Sequence, residues 1–336
     1  MIVCVTGGAG YLASFLIKTL LERGYTVHAT LRNLGDPTKV GLLKELPHAE
    51  TKLKLFEADV YKPYEFAPAI RGCQVVVHMA TPLQHTQQST EYKNMLEAAV
   101  AGVRSIADSC IRSGTVKKLI YTATVMAASP LRDNATCFKD TMDETCWTPF
   151  DFPTPYHIDS FVDYARSKTL AEKEVLGYNG KGDIQVVSLV TGAVGGRETL
   201  QSWMPESLGL FVSQVTNDKK RYEGLRFLEE LVGKVPIVHL EDVTAAHIFC
   251  MENPEINGRF LCANSYLKSA EIASFYQHHF PAITIPQEFI EDTRRDIKWN
   301  SRKLEDAGFE YKYDYKMILL DSLECAKRFC NHFNEV

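Results

Sequence analysis

A tyrosine and a lysine four positions apart form the pair in this sequence best suited to acid–base chemistry. Tyr164 and Lys168 lie in the stretch FVDYARSKTLAEKEV. Side chains at positions i and i+4 of a helix face the same way. Free tyrosine has a pKa of about 10, and a neighbouring ammonium group stabilises the phenolate and so lowers that pKa. The pair could therefore exchange a proton with a substrate near neutral pH.

The chain has 15 tyrosines, so a Y-x-x-x-K spacing arises easily by chance and needs support from other residues. Thr122 and Thr124 provide it, because they stand where the apolar stretch KLIYTAT at 118–124 ends. In open α/β sheets, ligands bind at the carboxyl ends of the strands. A hydroxyl group there could polarise a substrate carbonyl, while Lys168 could also hydrogen-bond the ribose of a bound nicotinamide nucleotide.

A glycine-rich turn adds an independent signal. Gly7, Gly8 and Gly10 follow the first predicted strand, IVCVT, and open the first predicted helix in VTGGAGYLAS. A phosphate bound at a helix N-terminus needs close approach to the backbone, which a side chain would block. Ala13 occupies the place where a third glycine often packs the helix against the sheet. The position of this turn between a strand and a helix predicts dinucleotide binding.

The residues after the second predicted strand indicate which dinucleotide binds. NAD-preferring sites carry an acidic residue about 20 positions beyond the glycines, which binds the ribose 2′-hydroxyl. This chain instead has Arg32 in that zone and Lys39 a short loop later. Both would attract a 2′-phosphate. We therefore predict NADP(H) as the cofactor.

The pattern of elements predicts the fold that must position these residues. Over the first 195 residues, apolar β-branched segments alternate with helical patterns, as in a sheet buried on both faces and joined by βαβ units. We predict an α/β fold with a Rossmann-like, doubly wound parallel sheet and a smaller C-terminal α/β substrate lobe. Residues 1–195 form the NADP-binding domain, with some later segments returning to it, and residues 196–336 form mainly the substrate lobe.

Two further local structures are expected within that lobe. The aromatic residues at 309, 311, 313 and 315 alternate as in a strand with one buried face. The stretch DKKR at 218–221 is expected to be a solvated loop.

The composition excludes several other classes of protein. The 336 residues are 45% hydrophobic and carry a formal net charge of −5, without the basic surface of a nucleic-acid-binding protein. Nine scattered cysteines without C-x-x-C spacing indicate free thiols and no metal site. Signal-peptide character is missing, and no apolar stretch approaches the roughly 18 residues of a membrane span. We expect a cytoplasmic monomer or weak homodimer that binds a small-molecule carbonyl substrate.

Several stretches together resemble the extended short-chain dehydrogenase/reductase superfamily, namely TGGAGYLAS, YARSKTLAEK, HMATP and VHLEDVTAAHIF. More narrowly, they are similar to the plant dihydroflavonol reductase group, with anthocyanidin, vestitone and cinnamoyl-CoA reductases as relatives. The resemblance covers nearly the whole chain. The stretches YTVHATLRNLGD, FAPAIRGCQ, TATVMAASPL, VLGYNG and RFLCA resemble the HC-toxin reductase branch, which reduces a side-chain ketone on a cyclic peptide toxin.

The resemblance implies roles for individual residues. Tyr164 would be the acid, Lys168 would tune it, and Thr124 stands where the family usually has serine; these three are the predicted catalytic residues. Asp59 would lie near the adenine. The predicted cofactor-binding set is Thr6, Gly7, Gly8, Gly10, Tyr11, Leu12, Arg32, Lys39, Asp59, Val60, Ala80, Thr81, Thr122, Tyr164, Lys168, Val190 and Gly192.

The chain departs from the group at three of its positions. Thr124 keeps the hydroxyl of the usual serine but adds a methyl group. Val190 stands where many relatives have proline beside the nicotinamide. Ser129 replaces an asparagine that helps dihydroflavonol reductases bind the flavonoid ring, which argues against a strict dihydroflavonol reductase. The least family-like stretch is the pocket segment at 197–236.

We therefore predict an NADPH-dependent reductase of a ketone or aldehyde on a plant-type specialised metabolite, flavonoid-like, phenolic or toxin-like. Similarity to anthocyanidin reductase leaves open the reduction of a C=C or flavylium system. A nucleotide-sugar epimerase would need tightly held NAD, and Arg32 with Lys39 argues against that. A non-catalytic NADP-sensing protein is the alternative of another class. The presence of Tyr164, Lys168 and a hydroxyl at position 124 disfavours it.

Overall fold

A computed structural model of the protein describes residues 1–82, 92–132, 137–290 and 297–330. Within these ranges the strands are β1 (Ile2–Thr6), β2 (Thr26–Leu31), β3 (Leu53–Glu57), β4 (Val75–His78), β5 (Lys118–Thr124), β6 (Thr141–Met142), β7 (Gln185–Thr191), β8 (Ala193–Gly195), β9 (Val235–His239), β10 (Gly258–Cys262), β11 (Ser265–Leu267) and β12 (Lys298–Trp299).

The largest sheet has seven strands in the order β10-β7-β5-β4-β1-β2-β3. Strand β1 runs parallel to both β2 and β4, and the β2–β3 and β4–β5 pairs are also parallel. The chain order reverses between β1 and β4, so the carboxyl ends of these strands are where such a sheet binds ligands. The predicted Rossmann-like, doubly wound sheet is confirmed.

The inner strands β1 and β4 carry runs of apolar residues because both of their faces are buried. Val3 and Val5 of β1 and Val76 and Val77 of β4 are at most 1% exposed. Side chains of successive strand residues point to opposite faces, so a strand that alternated apolar with polar residues would place polar groups in one of the two cores. Continuous apolar runs are therefore what these positions require.

The helices of the described ranges are α1 (Tyr11–Glu22), α2 (Pro37–Lys44), α3 (Ala49–Lys52), α4 (Ala67–Ile70), α5 (Met95–Ser113), α6 (Asp159–Leu176), α7 (Glu206–Val212), α8 (Lys219–Val232), α9 (Leu240–Glu252), α10 (Ser269–His279), α11 (Lys303–Asp306) and α12 (Tyr315–Ala326). Short 3-10 helices cover Pro63–Phe66, Val125–Ala127, Lys181–Asp183 and Gln287–Phe289. In the described part of the chain, none of the helices has the length and apolarity needed to cross a membrane.

Local sequence signals explain where several helices begin and end. The Asp36 carboxylate accepts hydrogen bonds from the first-turn amides of α2, and the Asn94 side chain does the same for α5. Such caps satisfy amides that have no partner within the helix. Helix α5 ends at Gly114, whose φ of +66° lies in the left-handed region that favours glycine.

The chain divides into two compact units. The first comprises Met1–Ala123, Arg166–Leu189 and Thr244–Arg259, and the second comprises Thr124–Ala165, Val190–Val243 and Phe260–Val336. The second unit includes a three-stranded sheet in the order β11-β9-β8, with an antiparallel and a parallel pair, and the short parallel pair β6–β12. The assignment of NADP to residues 1–195 and of substrate mainly to residues 196–336 stays a prediction.

Two local predictions are wrong. The aromatic residues between 309 and 315 do not form a strand, because the amides of Lys312 and Tyr313 bind the carboxylate of Asp242 at 3.0 and 3.2 Å instead of a neighbouring strand. Residues 218–221 are not a loop, because Asp218 caps α8 by accepting the Arg221 amide at 3.1 Å.

Candidate active site

The glycine turn has a shape that excludes side chains. Gly7 has a φ of +71°, and a Cβ atom there would lie 3.0 Å from the Cα of Ala80. Its amide donates to the Thr30 hydroxyl at 3.2 Å, which fixes the turn against β2. Gly10 precedes α1 and has no side chain to cap it. The positive end of a 12-residue helix therefore stands beside a narrow backbone cradle, which suits a phosphate group.

Thr6 ties this turn to the end of β4. Its hydroxyl oxygen accepts the amides of Met79 and Ala80 at 3.1 and 3.0 Å, and it lies 2.8 Å from Nδ1 of His78. Because both amides donate to Thr6, the hydroxyl proton points to His78, which leaves the His78 proton on Nε2. Thr6 is fully buried. It acts in the described structure by holding the segment at Ala80 against Gly7.

Lys168 lies in a nearly closed environment within the first unit. Its Nζ atom donates to the Thr122 carbonyl at 2.7 Å and to the Thr81 hydroxyl at 3.3 Å. It also lies 4.1 Å from the centre of the Tyr121 ring, within range of a cation–π interaction. The side chain is 2% exposed. Burial lowers the pKa of Lys168 to about 7, although the charge of Glu172 opposes this change.

A neutral histidine packs beside this lysine. Burial, and then the charge of Lys168, lower the pKa of His78 to about 3. The His78 ring also contacts Tyr121, with ring centres 5.5 Å apart. An uncharged imidazole here avoids repulsion between two buried cations.

Thr122 contributes its backbone to this environment. Its hydroxyl lies 2.8 Å from Nε2 of His247 on α9, and the residue is 7% exposed. The carbonyl of Thr122 holds Lys168, as described above. The Thr122 side chain is thus bound to His247. The contact of Thr122 with the cofactor stays a prediction.

In the second unit, Thr124 and Tyr164 form a hydrogen-bonded pair of hydroxyl groups. The Met126 amide donates to the Thr124 hydroxyl oxygen at 3.3 Å, which fixes Thr124 at the end of β5. Burial raises the pKa of Tyr164 to about 12, although the Thr124 hydrogen bond opposes this rise. The lowered Tyr164 pKa expected from the sequence is therefore wrong for this structure, because burial of the phenol outweighs the opposing Thr124 hydrogen bond.

Tyr164 and Lys168 lie on the single continuous helix α6, as predicted. Thr122 and Thr124 likewise lie on the single strand β5, at its carboxyl end. The helix and the strand fix the spacing within each pair of residues.

The two basic residues predicted to select NADP(H), Arg32 and Lys39, both follow β2 in the chain. Arg32 directly follows β2, is exposed, and makes no hydrogen bond or ion pair with the residues that the structure describes. Lys39 is also exposed, but its amine pairs with the Asp36 carboxylate at 3.1 Å. Arg32 is therefore the more available partner for a 2′-phosphate.

The other predicted cofactor residues have varied surroundings. Asp59 is half-buried after β3, where its carboxylate accepts the Tyr61 amide at 3.0 Å. Val60 is half-buried and lies beside Gly102 of α5. Tyr11 and Leu12, in the first turn of α1, and Ala80 and Thr81, after β4, are also half-buried.

In the second unit, Val190, Gly192 and Ser129 are all packed against protein. Val190 has no exposed surface. The Gly192 amide donates to the Cys262 carbonyl at 3.0 Å, and a Cβ atom at Gly192 would lie 2.8 Å from the Pro236 carbonyl oxygen. Ser129 is fully buried, and its hydroxyl donates to the Leu231 carbonyl. Close packing against β9 explains the glycine at 192.

A family comparison bears directly on this arrangement. The model of the NAD dependent epimerase/dehydratase family matches residues 3–262, a range that includes the glycine turn, Lys168 and Tyr164. The chain belongs to this family. The resemblance to extended short-chain dehydrogenases/reductases is thereby confirmed, and the narrower similarity to HC-toxin reductase stays a prediction.

Individual relatives within this family are plant reductases. The chain is 33% identical over 326 residues to a putative anthocyanidin reductase from Ginkgo biloba, covering 97% of this chain and 94% of the relative. It is 33% identical over 327 residues to dihydroflavonol 4-reductase from Gerbera hybrida, covering 97% and 86%. The crystal structure of alfalfa vestitone reductase (Medicago sativa) superposes with a TM-score of 0.77 at 33% identity, covering 97% of this chain and 98% of that one.

Sequence reasoning missed the buried polar residues that surround Lys168. His78 and His247 lie within the stretches HMATP and VHLEDVTAAHIF, but a histidine in an apolar segment does not show its partner. Glu172 is four residues beyond Lys168 in SKTLAEK. This spacing predicts that the two side chains are neighbours on a helix. Its buried partner, Arg259, is separated from it by 87 positions.

The buried amine predicts a distinctive pH dependence of stability. The folded chain holds Lys168 with a pKa of about 7, and its ordinary value is 10.5. Between these values the unfolded chain binds the extra proton, so this group makes stability rise with pH. In the natural protein this group should raise the free energy of unfolding by about 1.4 kcal/mol per pH unit, and Lys168→Met should remove that rise. Urea unfolding of both proteins at several pH values between these limits measures the difference.

The control is Lys173→Met, which removes an exposed amine from the same helix. Its stability difference from the natural protein should stay flat with pH. A flat difference for Lys168→Met as well would contradict the assignment of a lowered pKa to Lys168.

Proposed function

We propose that the protein is an NADPH-dependent reductase that adds hydride to a ketone or aldehyde carbon of a plant-type specialised metabolite while Tyr164 donates the proton. The observation that carries this proposal is the hydrogen bond between the hydroxyls of Thr124, at the end of β5, and of Tyr164, on α6. The same helix carries Lys168 one turn later. A phenol with a pKa of about 12 is fully protonated at neutral pH and is therefore in the form that an acid catalyst requires.

The cofactor proposal rests on how well the first unit fits a dinucleotide phosphate. The cradle at Gly7 would be filled by a Cβ atom, and the uncapped N-terminus of α1 favours negative charge. Arg32 supplies an exposed guanidinium for the 2′-phosphate. NADPH bound there would supply the hydride.

Each catalytic side chain has a distinct part in this scheme. Thr124 shares a hydrogen bond with Tyr164 and orients its hydroxyl. Tyr164 releases its proton to the substrate oxygen as hydride reaches the carbon. The Lys168 ammonium would hydrogen-bond the ribose of the bound cofactor and stabilise the phenolate that remains. Because the pKa of Lys168 is about 7, a substantial fraction of this amine is charged at neutral pH.

The relatives support the class of substrate. An anthocyanidin reductase, a dihydroflavonol reductase and vestitone reductase are all named for plant phenolic substrates. The anthocyanidin reductase relative also supports a second candidate, reduction of a conjugated C=C or flavylium system. The products separate the two reactions, since one yields a new alcohol and the other a saturated ring bond. A cytoplasmic location and a monomeric or weakly dimeric state stay predictions.

Changing Tyr164→Phe tests the proposal most simply. It removes the donated proton and leaves the ring, so NADPH affinity should stay unchanged and kcat should fall about 10²–10⁴-fold. NADPH oxidation across panels of flavonoids, aromatic aldehydes and ketones provides the rates, and nucleotide fluorescence provides the affinity. Tyr178→Phe, which removes a phenol just beyond α6, is the matched control and should keep full activity.

Natural-level turnover by Tyr164→Phe would show that another group donates the proton. A natural protein that binds NADPH but reduces none of the panel compounds would favour the NADP-sensing alternative.

Changing Arg32→Glu tests the choice of cofactor. Loss of a charge-assisted hydrogen bond to the 2′-phosphate, with repulsion in its place, should weaken NADPH binding by about tenfold or more and leave NADH binding nearly unchanged. Arg23→Glu, an exposed position at the end of α1, makes the same change of charge away from the nucleotide. Equal losses for Arg32→Glu and Arg23→Glu, or equal losses for NADPH and NADH, would refute a specific role for Arg32.

A further inference from the structure

A buried ion pair lies one helical turn beyond Lys168 in the first unit. Arg259 of β10 donates to both carboxylate oxygens of Glu172, from Nε at 2.8 Å and from Nη2 at 3.2 Å. The Ser188 hydroxyl of β7 donates to the same carboxylate at 2.6 Å. The Glu172 side chain has no exposed surface, and that of Arg259 is 7% exposed. The carboxylate of Glu172 is therefore fixed in both position and orientation.

Stability alone does not account for charge at this position. A buried ion pair is often no more stabilising than well-packed apolar residues of similar volume. An apolar pair could hold α6 against β7 and β10 equally well. It could not supply a fixed negative charge on the face of α6 that carries Lys168, since residues four apart lie next to each other.

Among the residues that the structure describes, Glu172 is the anionic side chain whose charge acts on Lys168. The titratable groups that face Lys168 are His78 from β4, Tyr121 from β5, His247 from α9 through Thr122, and Glu172 from its own helix. His78 is held neutral, and Tyr121 presents its ring face. The charge of Glu172 raises the pKa of Lys168 and so opposes the effect of burial.

We propose that Glu172 is a positioning residue whose carboxylate, fixed by Arg259 and Ser188, keeps the buried Lys168 amine in its ammonium form. This inference rests on the proposed function, in which that ammonium binds the cofactor ribose and stabilises the Tyr164 phenolate. Glu172 itself touches neither the cofactor nor the substrate in this scheme.

The direct test is the titration of Lys168 in Glu172→Gln, followed by NMR of protein labelled with ¹³C at the lysine Cε, with Lys168→Met to assign the signal. Glutamine keeps the hydrogen-bonding oxygen and removes the charge. The titration midpoint should fall by about one pH unit, because a neighbouring anion favours the charged form of the amine.

Glu174→Gln is the matched control. Glu174 lies two residues further along α6 and pairs with Arg104 at the surface. The substitution removes the same charge from the same helix, on a different face. It should leave the Lys168 midpoint unchanged.

Glu172→Gln leaves Arg259 without its charged partner and could impair folding, so a double variant provides a second test. Glu172→Met combined with Arg259→Leu replaces the pair with apolar residues. The Lys168 midpoint should still fall, by less than in the single variant because the positive charge of Arg259 is removed as well. An unchanged midpoint in whichever of these variants folds, or an equal fall in Glu174→Gln, would overturn the proposal.

Activity gives a second readout. If the midpoint falls by about one unit, kcat/KM of Glu172→Gln at about pH 8 should fall about tenfold, and the loss should shrink towards about pH 5.5. A loss of equal size at all pH values would indicate a structural effect and contradict the proposal. Because the NMR titration needs no substrate, a midpoint shift in a protein without turnover would reject the proposed function and leave the role of Glu172 intact.

Discussion

The Lys168 amine is buried beside the carboxyl end of a parallel sheet, and this burial determines which groups can surround it in the first unit. A buried cation loses the water that would solvate it, and three neighbours replace that water: the Thr122 carbonyl, the Thr81 hydroxyl and the face of the Tyr121 ring. His78 must stay neutral beside it, and the Thr6 hydroxyl favours the required tautomer. The result is an amine whose pKa lies near physiological pH, so modest electrostatic changes alter its charge.

Threonines at or near the strand ends also supply hydrogen-bonding groups to buried polar atoms. Thr6, Thr30, Thr122 and Thr124 each combine a β-branched side chain, which suits a strand, with a hydroxyl that serves a nearby polar group. Thr6 holds the amides after β4, Thr30 holds the glycine turn, Thr122 holds His247, and Thr124 pairs with Tyr164. Hydroxyls of this kind satisfy the backbone and side-chain groups that a parallel sheet leaves unpaired at its carboxyl edge.

The fold was largely predictable because its signals are local. Continuous apolar runs such as residues 75–77, together with the glycine turn, identify a doubly wound sheet without knowledge of distant contacts. The surroundings of Tyr164 were not predictable, since the size of its pKa shift depends on how deeply distant segments bury it. The strand predicted at 309–315 was wrong for a similar reason, because amides of this stretch bind Asp242, about 70 residues earlier in the chain. The start of α8 depends on a local signal, because an aspartate such as Asp218 at the beginning of a helical segment is typical of an N-cap.

In the proposed function, a dinucleotide bound at the glycine turn places its nicotinamide beside Lys168 and Tyr164. A crystal structure of the protein grown with NADP⁺ tests it most directly. The account predicts pyrophosphate oxygens at the N-terminus of α1, the Lys168 amine hydrogen-bonded to the nicotinamide ribose, and the Tyr164 hydroxyl facing the ring. A nucleotide bound elsewhere, or a Tyr164 hydroxyl directed away from the nicotinamide, would contradict it.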